Sequence, residues 1–194
     1  MKLTLKIQRA IKFAAKTHQV YQNQKRKGKA IPYITHPLTV GLILSLAGAE
    51  EDVIVAGILH DTIEDSAENK KVNPVMIEER FGENVCKLVV SVTEMDQGLS
   101  WAERKAIALE HVQHFSQDSV LVKSADVLSN GTELIDDYAR YREEVFERFN
   151  ASRSDVLNNS KKLIKALLSC WPGSPLADDL KNLGKEIENL IKSV

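Results

Sequence analysis

The sequence has few cysteines, little net charge and no long apolar run, and each shortage excludes a class of protein. Its two cysteines, Cys86 and Cys170, lie far apart, and neither has a partner at a metal-ligand spacing. We expect both to be core thiols in a reducing compartment. The net charge of -1 gives no reason to expect binding to DNA or RNA, or electrostatic attraction to a membrane.

The apolar runs are too short for a membrane protein. No segment is long enough to cross a bilayer, and residues 1–9 carry charges throughout and lack the apolar stretch of a signal peptide. We therefore expect a cytoplasmic protein with no membrane partner. The 194 residues are 43% hydrophobic and 27% charged, which suits a globular protein with one well-buried core. We predict a single domain over 1–194, in which 176–193 forms a C-terminal helix packed on the rest.

Strand alternation, internal repeats and low-complexity segments are also absent, whereas helical periodicity recurs along the chain. The β-branched residues of segment 85–92 leave helix or strand open there. Asn73-Pro74 predicts a helix start by the N-terminal proline rule, and Ser100 with Glu103 predicts a capping box. The predicted fold class is all-α. Predicted helices cover about 7–21, 38–48, 51–60, 74–81, 101–115, 119–134, 152–170 and 176–193.

Four ionisable residues follow the apolar helix predicted over 51–60, namely His60, Asp61, Glu64 and Asp65. If the helix continued, spacings of three and four residues would crowd these side chains onto one face. Neighbouring carboxylates repel one another unless a cation, a proton or bulk water relieves them. One interpretation is a cation site. The other is a solvated helix end on which His60 is a favourable C-terminal cation, and this stretch alone leaves both open.

The predicted helix over 119–134 carries a second polar set. Lys123, Asp126, Asn130 and Glu133 recur at spacings of three, four and three, which places them in one stripe opposite the apolar residues. Such a stripe is usually the solvent-exposed face of a surface helix. In an all-α domain, however, we expect a helix this apolar to be central, so its stripe would need a pocket to face.

Other histidines and both tryptophans give weaker signals. His111 and His114 are three positions apart and could chelate an ion, but no third ligand lies nearby, which favours an exposed helix face. His18 ends the first predicted helix, so we interpret it as a solvent or capping histidine. Trp101 and Trp171 are interpreted as packing anchors.

Three ordered blocks of the sequence resemble the HD-domain metal-dependent phosphohydrolases. Within that family the resemblance is to the hydrolase domain of the alarmone enzymes, including the small stand-alone alarmone hydrolases. The blocks are Arg26-Lys27 with residues 32–37, residues 56–65, and residues 122–126 with Asn130. Weaker matches occur at 92–94 and 103–105. The resemblance spans about residues 5–170, implies an HD-domain helical bundle and leaves no room for an alarmone synthetase domain.

Carried over residue by residue, the resemblance implies a metal site and its surroundings. The implied ligands of one divalent ion are His36, His60, Asp61 and Asp126, and the implied acidic pair that assists hydrolysis is Glu64 and Asp65. Two imidazoles and two carboxylates leave coordination positions for water and a phosphate oxygen, which favours Mn²⁺ over tetrahedral zinc. Which acid accepts or returns a proton stays open.

Five side chains are implied as substrate contacts, namely Arg26, Lys27, Tyr33, Lys123 and Asn130. An arginine plane can stack on a nucleobase while its neighbour meets phosphate, although a solvated basic loop is equally common. Tyr33 either lines the pocket beside His36 or braces the loop.

The chain departs from the alarmone hydrolases on the helix that carries Asp126. Val127 stands where a basic residue is usual, and Gly131-Thr132 stands where a bulky apolar residue and an arginine are common. Two cations are therefore missing, and we expect weaker binding of a substrate rich in phosphates. The nearest candidates to compensate are Lys123, Arg104 and Lys105.

The resemblance implies hydrolysis of a small-molecule nucleotide, with the 3′-pyrophosphate of guanosine tetraphosphate (ppGpp), the stringent-response nucleotide, as the leading substrate. One alternative is an HD phosphohydrolase that acts on another nucleotide or phosphate ester. A second is a non-catalytic regulator that binds metal and nucleotide. Self-association is left open.

Overall fold

The computed structural model describes residues 4–94 and 98–193, and this part of the chain is helical with no strand beyond one isolated bridge between Lys25 and Pro32. The all-α prediction is confirmed. The α-helices are α1 Leu5–Ala15, α2 Thr35–Leu46, α3 Glu51–Leu59, α4 Pro74–Phe81, α5 Glu83–Val92, α6 Trp101–Val112, α7 Gln117–Tyr141, α8 Arg153–Cys170 and α9 Ala177–Lys192. A π-helix, Lys16–Val20, continues α1, and 3₁₀ segments cover Glu68–Lys70 and Arg142–Arg148.

Helix α7 lies at the centre of the bundle, where it contacts α2, α3, α5, α8 and α9. Its start is capped by the Ser116 hydroxyl, which accepts a hydrogen bond from the Ser119 backbone N–H at 3.1 Å. At 25 residues it is longer than the 119–134 predicted. Its polar stripe, Lys123, Asp126, Asn130 and Glu133, lines a cavity of the bundle, as expected for the polar residues of a central helix.

Local sequence signals set several helix boundaries. Asn73 caps α4 and Pro74 occupies its first turn, as predicted, and Gly82 ends the helix with a φ of 93° that favours glycine. The predicted capping box of Ser100 and Glu103 opens α6. The open segment 85–92 is helical, since its buried residues recur at helical spacing on one face.

Helix α3 ends at Leu59, earlier than a single helical face through Asp65 would require. The Thr62 backbone N–H donates to the Leu59 carbonyl at 2.9 Å, and the Thr62 hydroxyl donates to the same oxygen at 2.7 Å. A turn then follows, in which the Asp65 N–H donates to the Asp61 carbonyl at 2.9 Å. Contrary to expectation, residues 60–65 therefore do not share one regular helical face. The reason is that the Thr62 side chain competes for the carbonyl of Leu59, the last residue of the helix.

Helix α9 packs against α7 and α8. A Cβ at Gly131 of α7 would lie 2.5 Å from Leu183 Cδ2 of α9, so the glycine permits this close approach. Cys86 is buried as expected, whereas Cys170 is exposed at the end of α8, so the core-thiol prediction is wrong for Cys170. Among the described residues, no helix combines the length and apolarity needed to span a bilayer.

Candidate functional site

Four side chains from separate elements meet in one cluster. His36 is the second residue of α2, His60 and Asp61 follow α3, and Asp126 lies midway along α7. The His36 and His60 Nε2 atoms are 3.2 Å apart, and His36 Nε2 is 3.3 Å from Asp126 Oδ1. Asp61 Oδ2 lies 3.0 Å from His60 Nε2 and 3.6 Å from His36 Nε2. We call His36, His60, Asp61 and Asp126 the ligand cluster.

The two imidazole rings present their Nε2 atoms to the cluster because the other ring nitrogen is engaged. His60 Nδ1 donates to the Gly57 carbonyl at 2.7 Å, since a carbonyl only accepts. His36 Nδ1 is 3.0 Å from the Ser129 hydroxyl. When neutral, His60 thus directs an Nε2 lone pair toward the other ligands, an orientation that metal-binding histidines commonly obtain from such partners.

The chemistry of this donor set fits a divalent metal. His36, His60 and Asp126 are all buried, and each offers a ligand atom within 4.8 Å of the others'. Converging nitrogen lone pairs and carboxylate oxygens repel one another unless a positive charge lies among them. Asp61 is near enough to both imidazoles to complete the set. Two nitrogen and two oxygen donors are the types that suit first-row divalent ions.

The pKa values in the cluster reflect the same need for positive charge. Burial opposes protonation of His60, but Asp61 and Asp126 outweigh it and raise its pKa to about 9. Burial likewise opposes ionisation of Asp61, yet His60 and His36 hold its pKa well below the usual value. The pKa of Asp126 is also lowered, chiefly by Lys123 against the effect of burial. Both carboxylates therefore stay ionised near neutral pH.

The predicted acidic pair adjoins the cluster, with a different setting for each acid. Burial, followed by repulsion from Asp61 and Glu94, raises the pKa of Glu64 to about 7. Its Oε2 accepts the backbone N–H of Glu94 at 3.3 Å. Asp65 Oδ2 accepts instead from the Gln24 side-chain amide at 2.9 Å, and burial with the Asp61 charge raises the Asp65 pKa.

A cavity of about 580 Å³ borders the cluster at Asp126. All five predicted substrate contacts line it, from Arg26 in the basic loop to Asn130 on α7. Among the described lining residues, four are acidic and eight are basic, an excess that suits an anionic ligand. The acidic residues are Glu94, Asp126, Glu133 and Asp137; the basic ones are Lys25, Arg26, Lys27, Lys29, Arg104, Lys105, Lys123 and Arg148. We call this the basic cavity.

Two of the predicted substrate contacts bind a member of the ligand cluster. Lys123 Nζ donates to Asp126 Oδ2 at 2.8 Å, and Asn130 Nδ2 donates to Asp126 Oδ1 at 2.6 Å. Tyr33 donates its hydroxyl to Asp61, so it both lines the cavity and braces the cluster. Burial and the nearby carboxylates raise the pKa of Tyr33, which keeps the phenol as a donor.

Arg26 and Lys27 line the cavity with their cationic groups close to aromatic rings. The Arg26 guanidinium carbon is 5.5 Å from the centre of the Tyr33 ring, and Lys27 Nζ is 5.4 Å from that of Phe149. Arg26 also donates to Asn130 Oδ1 at 2.7 Å and, through Nε, to Glu133 Oε2 at 2.9 Å. The basic loop is thus held to α7 by its own side chains.

The cavity departs from expectation at one of the two missing cations. Val127 lines the cavity, but Thr132 is exposed and is not part of the described wall. Of the two positions, only Val127 lines the cavity in the part of the chain that the structure describes. Arg104 and Lys105 do line the cavity, where Lys105 Nζ pairs with Glu94 Oε1 at 2.6 Å. Arg104 and Lys105 therefore lie on the cavity wall, as they must if they are to compensate for the missing cations.

Comparison with known proteins decides the family. A model of the HD domain matches residues 10–157. The chain belongs to the HD-domain family. The resemblance inferred from the ordered sequence blocks is therefore confirmed.

This HD domain is similar to proteins named guanosine-3′,5′-bis(diphosphate) 3′-pyrophosphohydrolase. It is 42% identical to the Xenopus tropicalis protein and 37% identical to the human one, over 62% of this chain and 65% of each relative. The chain thus spans just under two thirds of these relatives' lengths. An Aquifex aeolicus protein of the same name is 38% identical over 64% of this chain and 17% of its own.

Two solved structures share the fold of this HD domain. One, described as a metazoan ortholog of SpoT that hydrolyses ppGpp, matches with a TM-score of 0.77 at 26% identity, over 100% of this chain and 99% of its own. The other is lmo0812 from Listeria monocytogenes, with a TM-score of 0.71 at 28% identity over 81% of this chain and 99% of its own.

Sequence reasoning missed His18. It is fully buried in the π-helix, and its Nδ1 lies 2.7 Å from Gln24 Oε1, so its interpretation as a solvent or capping histidine is wrong. The π-helix rotates this side chain inward, and a 3.6-residue periodicity does not anticipate that rotation. His111 and His114 are exposed and Trp101 and Trp171 pack against the core, as predicted.

Proposed function

We propose that this HD domain is a metal-dependent phosphohydrolase that releases the 3′-pyrophosphate of ppGpp. The observation that carries the proposal is the convergence of the ligand cluster at the edge of the basic cavity, with two carboxylic acids beside it. The names of its sequence relatives support the choice of substrate. Removal of the 3′-pyrophosphate by water would leave guanosine 5′-diphosphate and pyrophosphate.

The ion would be held by His36, His60, Asp61 and Asp126, and we propose Mn²⁺, since two imidazoles and two carboxylates leave positions open on a six-coordinate ion. When bound, such an ion lowers the pKa of a coordinated water and draws charge from a phosphate oxygen. Tyr33 would orient Asp61, while Lys123 and Asn130 would orient Asp126, through hydrogen bonds that supporting residues around metal sites commonly provide.

Glu64 and Asp65 would handle the proton. Burial and the Asp61 charge raise the pKa of Glu64 to about 7, which suits a group that accepts a proton from water and returns it to the leaving oxygen near neutral pH. The Asp65 carboxylate is held by the Gln24 amide N–H, which stabilises its unprotonated oxygen. A pure binding site has no evident need for this second pair of acids.

The basic cavity would receive the nucleotide. The Arg26 guanidinium carbon is 5.5 Å from the centre of the Tyr33 ring and its guanidinium also contacts α7, and its planar group would offer a stacking surface to the base. Several cavity cations are already paired with carboxylates, as Arg26 is with Glu133. A phosphate group would compete with these carboxylates for the same N–H donors. Cations of the cavity would therefore exchange carboxylate partners for the phosphate groups of the nucleotide.

One observation favours the second candidate, a phosphohydrolase for a nucleotide with fewer phosphates. Val127 lines the cavity, so this wall lacks the cation that an alarmone site usually carries at that position. Lys105 is paired with Glu94 at 2.6 Å, so its charge is only partly available. The two candidates differ in substrate and share the metal chemistry.

A nucleotide screen of the manganese-loaded protein separates them, with phosphate and pyrophosphate release measured independently. We expect pyrophosphate from ppGpp and little release from nucleoside mono-, di- or triphosphates. Brisk hydrolysis of another nucleotide without ppGpp cleavage would move the assignment to the second candidate. If the metal binds but no nucleotide or phosphate ester is cleaved, the domain would be a non-catalytic binder.

A further inference from the structure

The π-helix that follows α1 places a fully buried histidine behind the acidic pair. His18 lies at the centre of Lys16–Val20, and its ring is tilted against Tyr33 with ring centres 5.0 Å apart. Single-turn π segments within helices often occur at functional sites, because the extra residue redirects a side chain. The ring is too deeply buried to act as a surface cap.

The hydrogen bonds around Gln24 have only one consistent direction. Asp65 Oδ2 can only accept when ionised, so the Gln24 amide nitrogen at 2.9 Å must donate to it. The amide oxygen of Gln24 is then the acceptor for His18 Nδ1–H at 2.7 Å. The backbone repeats the link, since the Gln24 N–H donates to the His18 carbonyl at 2.8 Å. His18, Gln24 and Asp65 thus form a chain of hydrogen bonds that runs from the histidine to the carboxylate, and we call this chain the relay.

A neighbouring glutamine, Gln22, contacts the backbone of Asp65. Its side-chain amide donates to the Asp65 backbone carbonyl oxygen and, at 3.3 Å, to Gln24 Oε1. Glu64 has a different kind of partner, because its Oε2 accepts the backbone N–H of Glu94. Two glutamines of the loop after the π-helix, Gln22 and Gln24, therefore both donate hydrogen bonds to Asp65.

We propose that His18 is a positioning residue that fixes the Asp65 carboxylate through Gln24. The inference rests on the proposed function, in which Asp65 assists hydrolysis. Among the described residues His18 makes no hydrogen bond to the ligand cluster, and its hydrogen-bond partner on the cavity wall is Gln24 itself, so we expect its loss to leave metal and nucleotide binding in place. What it controls is the orientation of one carboxylate.

Two substitutions at His18 separate positioning from packing. His18→Asn keeps an N–H donor the same number of bonds from Cα as Nδ1, whereas His18→Leu keeps apolar bulk without a donor. With Mn²⁺ and ppGpp, we expect His18→Leu to lower kcat by roughly tenfold or more with KM nearly unchanged, because a misplaced catalytic group costs rate rather than binding. His18→Asn should retain most of the activity. Manganese content, by elemental analysis, should match wild type in both.

A second readout does not depend on turnover. In the metal-free protein, the Gln24 side-chain amide donates a proton to the half-buried Asp65 carboxylate while His18 holds the amide oxygen, so the amide protons should exchange slowly with solvent. Exchange should accelerate in His18→Leu and stay slow in His18→Asn. His114→Leu, which removes an exposed histidine, serves as the matched control and should change nothing.

Equal kcat in His18→Leu and wild type, or equal loss in both His18 variants, would overturn the positioning role. Unaltered exchange of the Gln24 amide in His18→Leu would overturn it as well. If His18→Leu does not fold, Gln24→Met removes the donor to Asp65 while keeping the side-chain length, and an unchanged kcat in that variant decides against the relay. A wild-type protein that hydrolyses nothing contradicts the proposed function instead, and amide exchange still tests the relay.

Discussion

The ligand cluster and the wall of the basic cavity are built in opposite ways. The cluster uses four side chains fixed at helix ends or in the central helix, with His36 and His60 Nε2 atoms only 3.2 Å apart. On the cavity wall, long cations reach carboxylates far away in sequence, as Arg26 does to Glu133 across 107 positions. On the proposed function, metal binding would depend on a rigid geometry, whereas substrate binding would depend on ion pairs that can exchange partners.

From this difference we expect single substitutions in the ligand cluster to have the largest effect on metal content and turnover. His60→Ala or Asp61→Ala leaves too few donors for a stable site, so we expect the bound divalent ion, about one per chain, to be lost and turnover to become undetectable. Elemental analysis of the purified variants checks this. His114→Ala, at an exposed histidine, is the control. Full metal occupancy in both cluster variants would show that the ion binds elsewhere.

Glu64→Gln should separate chemistry from metal binding. The substitution keeps the shape of the side chain and removes the group that exchanges a proton, so turnover should fall by roughly 10²-fold or more while the metal stays bound. Steady-state kinetics with a parallel metal assay measures both quantities. Wild-type turnover in this variant would remove Glu64 from the mechanism.

On the cavity wall, a smaller effect of opposite sign is expected from Val127→Arg. A new cation facing the cavity adds a charge-assisted contact of roughly 1.5 to 3 kcal/mol, or about 10- to 100-fold in kcat/KM for ppGpp. Thr132→Arg places the same charge on the exposed side of α7 and should give no such gain. Comparable gains from both variants would mean that general attraction, rather than the cavity wall, sets recognition.

The sequence predicted the cluster far better than the wall. His36, His60, Asp61 and Asp126 sit in short ordered blocks that are visible in the sequence. Glu133 could not be paired with Arg26 in this way, because ion pairs between distant segments depend on the packing of the whole bundle. The orientation of Thr132 was missed for the same reason, whereas the burial of His18 was missed because the π-helix departs from the 3.6-residue period. Cys170 was misjudged because the expectation rested on the usual burial of cysteine and not on its place at the end of the helix predicted over 152–170.

The smallest predicted effect concerns the contact of α9 with α7 behind the cavity. Gly131→Ala should change stability by between zero and a loss of about 2 kcal/mol, because displacing Leu183 costs about 1 to 3 kcal/mol against a gain of about 1 kcal/mol in helix propensity. In a Leu183→Ala background the same change should stabilise by about 1 kcal/mol. Denaturant unfolding of the four proteins measures the cycle.

Gly184 of α9 offers a matched control for that cycle. An added Cβ there would meet Ile164 Cγ2 at 3.6 Å, an ordinary contact, so Gly184→Ala should stabilise by about 1 kcal/mol without a second change. If Gly131→Ala stabilises the otherwise wild-type protein by a similar amount, the close packing of Leu183 on Gly131 is contradicted.

The claim on which everything else depends is that four side chains share one ion. Anomalous scattering from a crystal soaked in Mn²⁺ tests it most directly, because manganese can be located independently of the protein atoms. The account predicts one strong peak bonded to the Nε2 atoms of His36 and His60 and to carboxylate oxygens of Asp61 and Asp126. A peak held by other residues, or none at full soaking concentration, would contradict the metal centre.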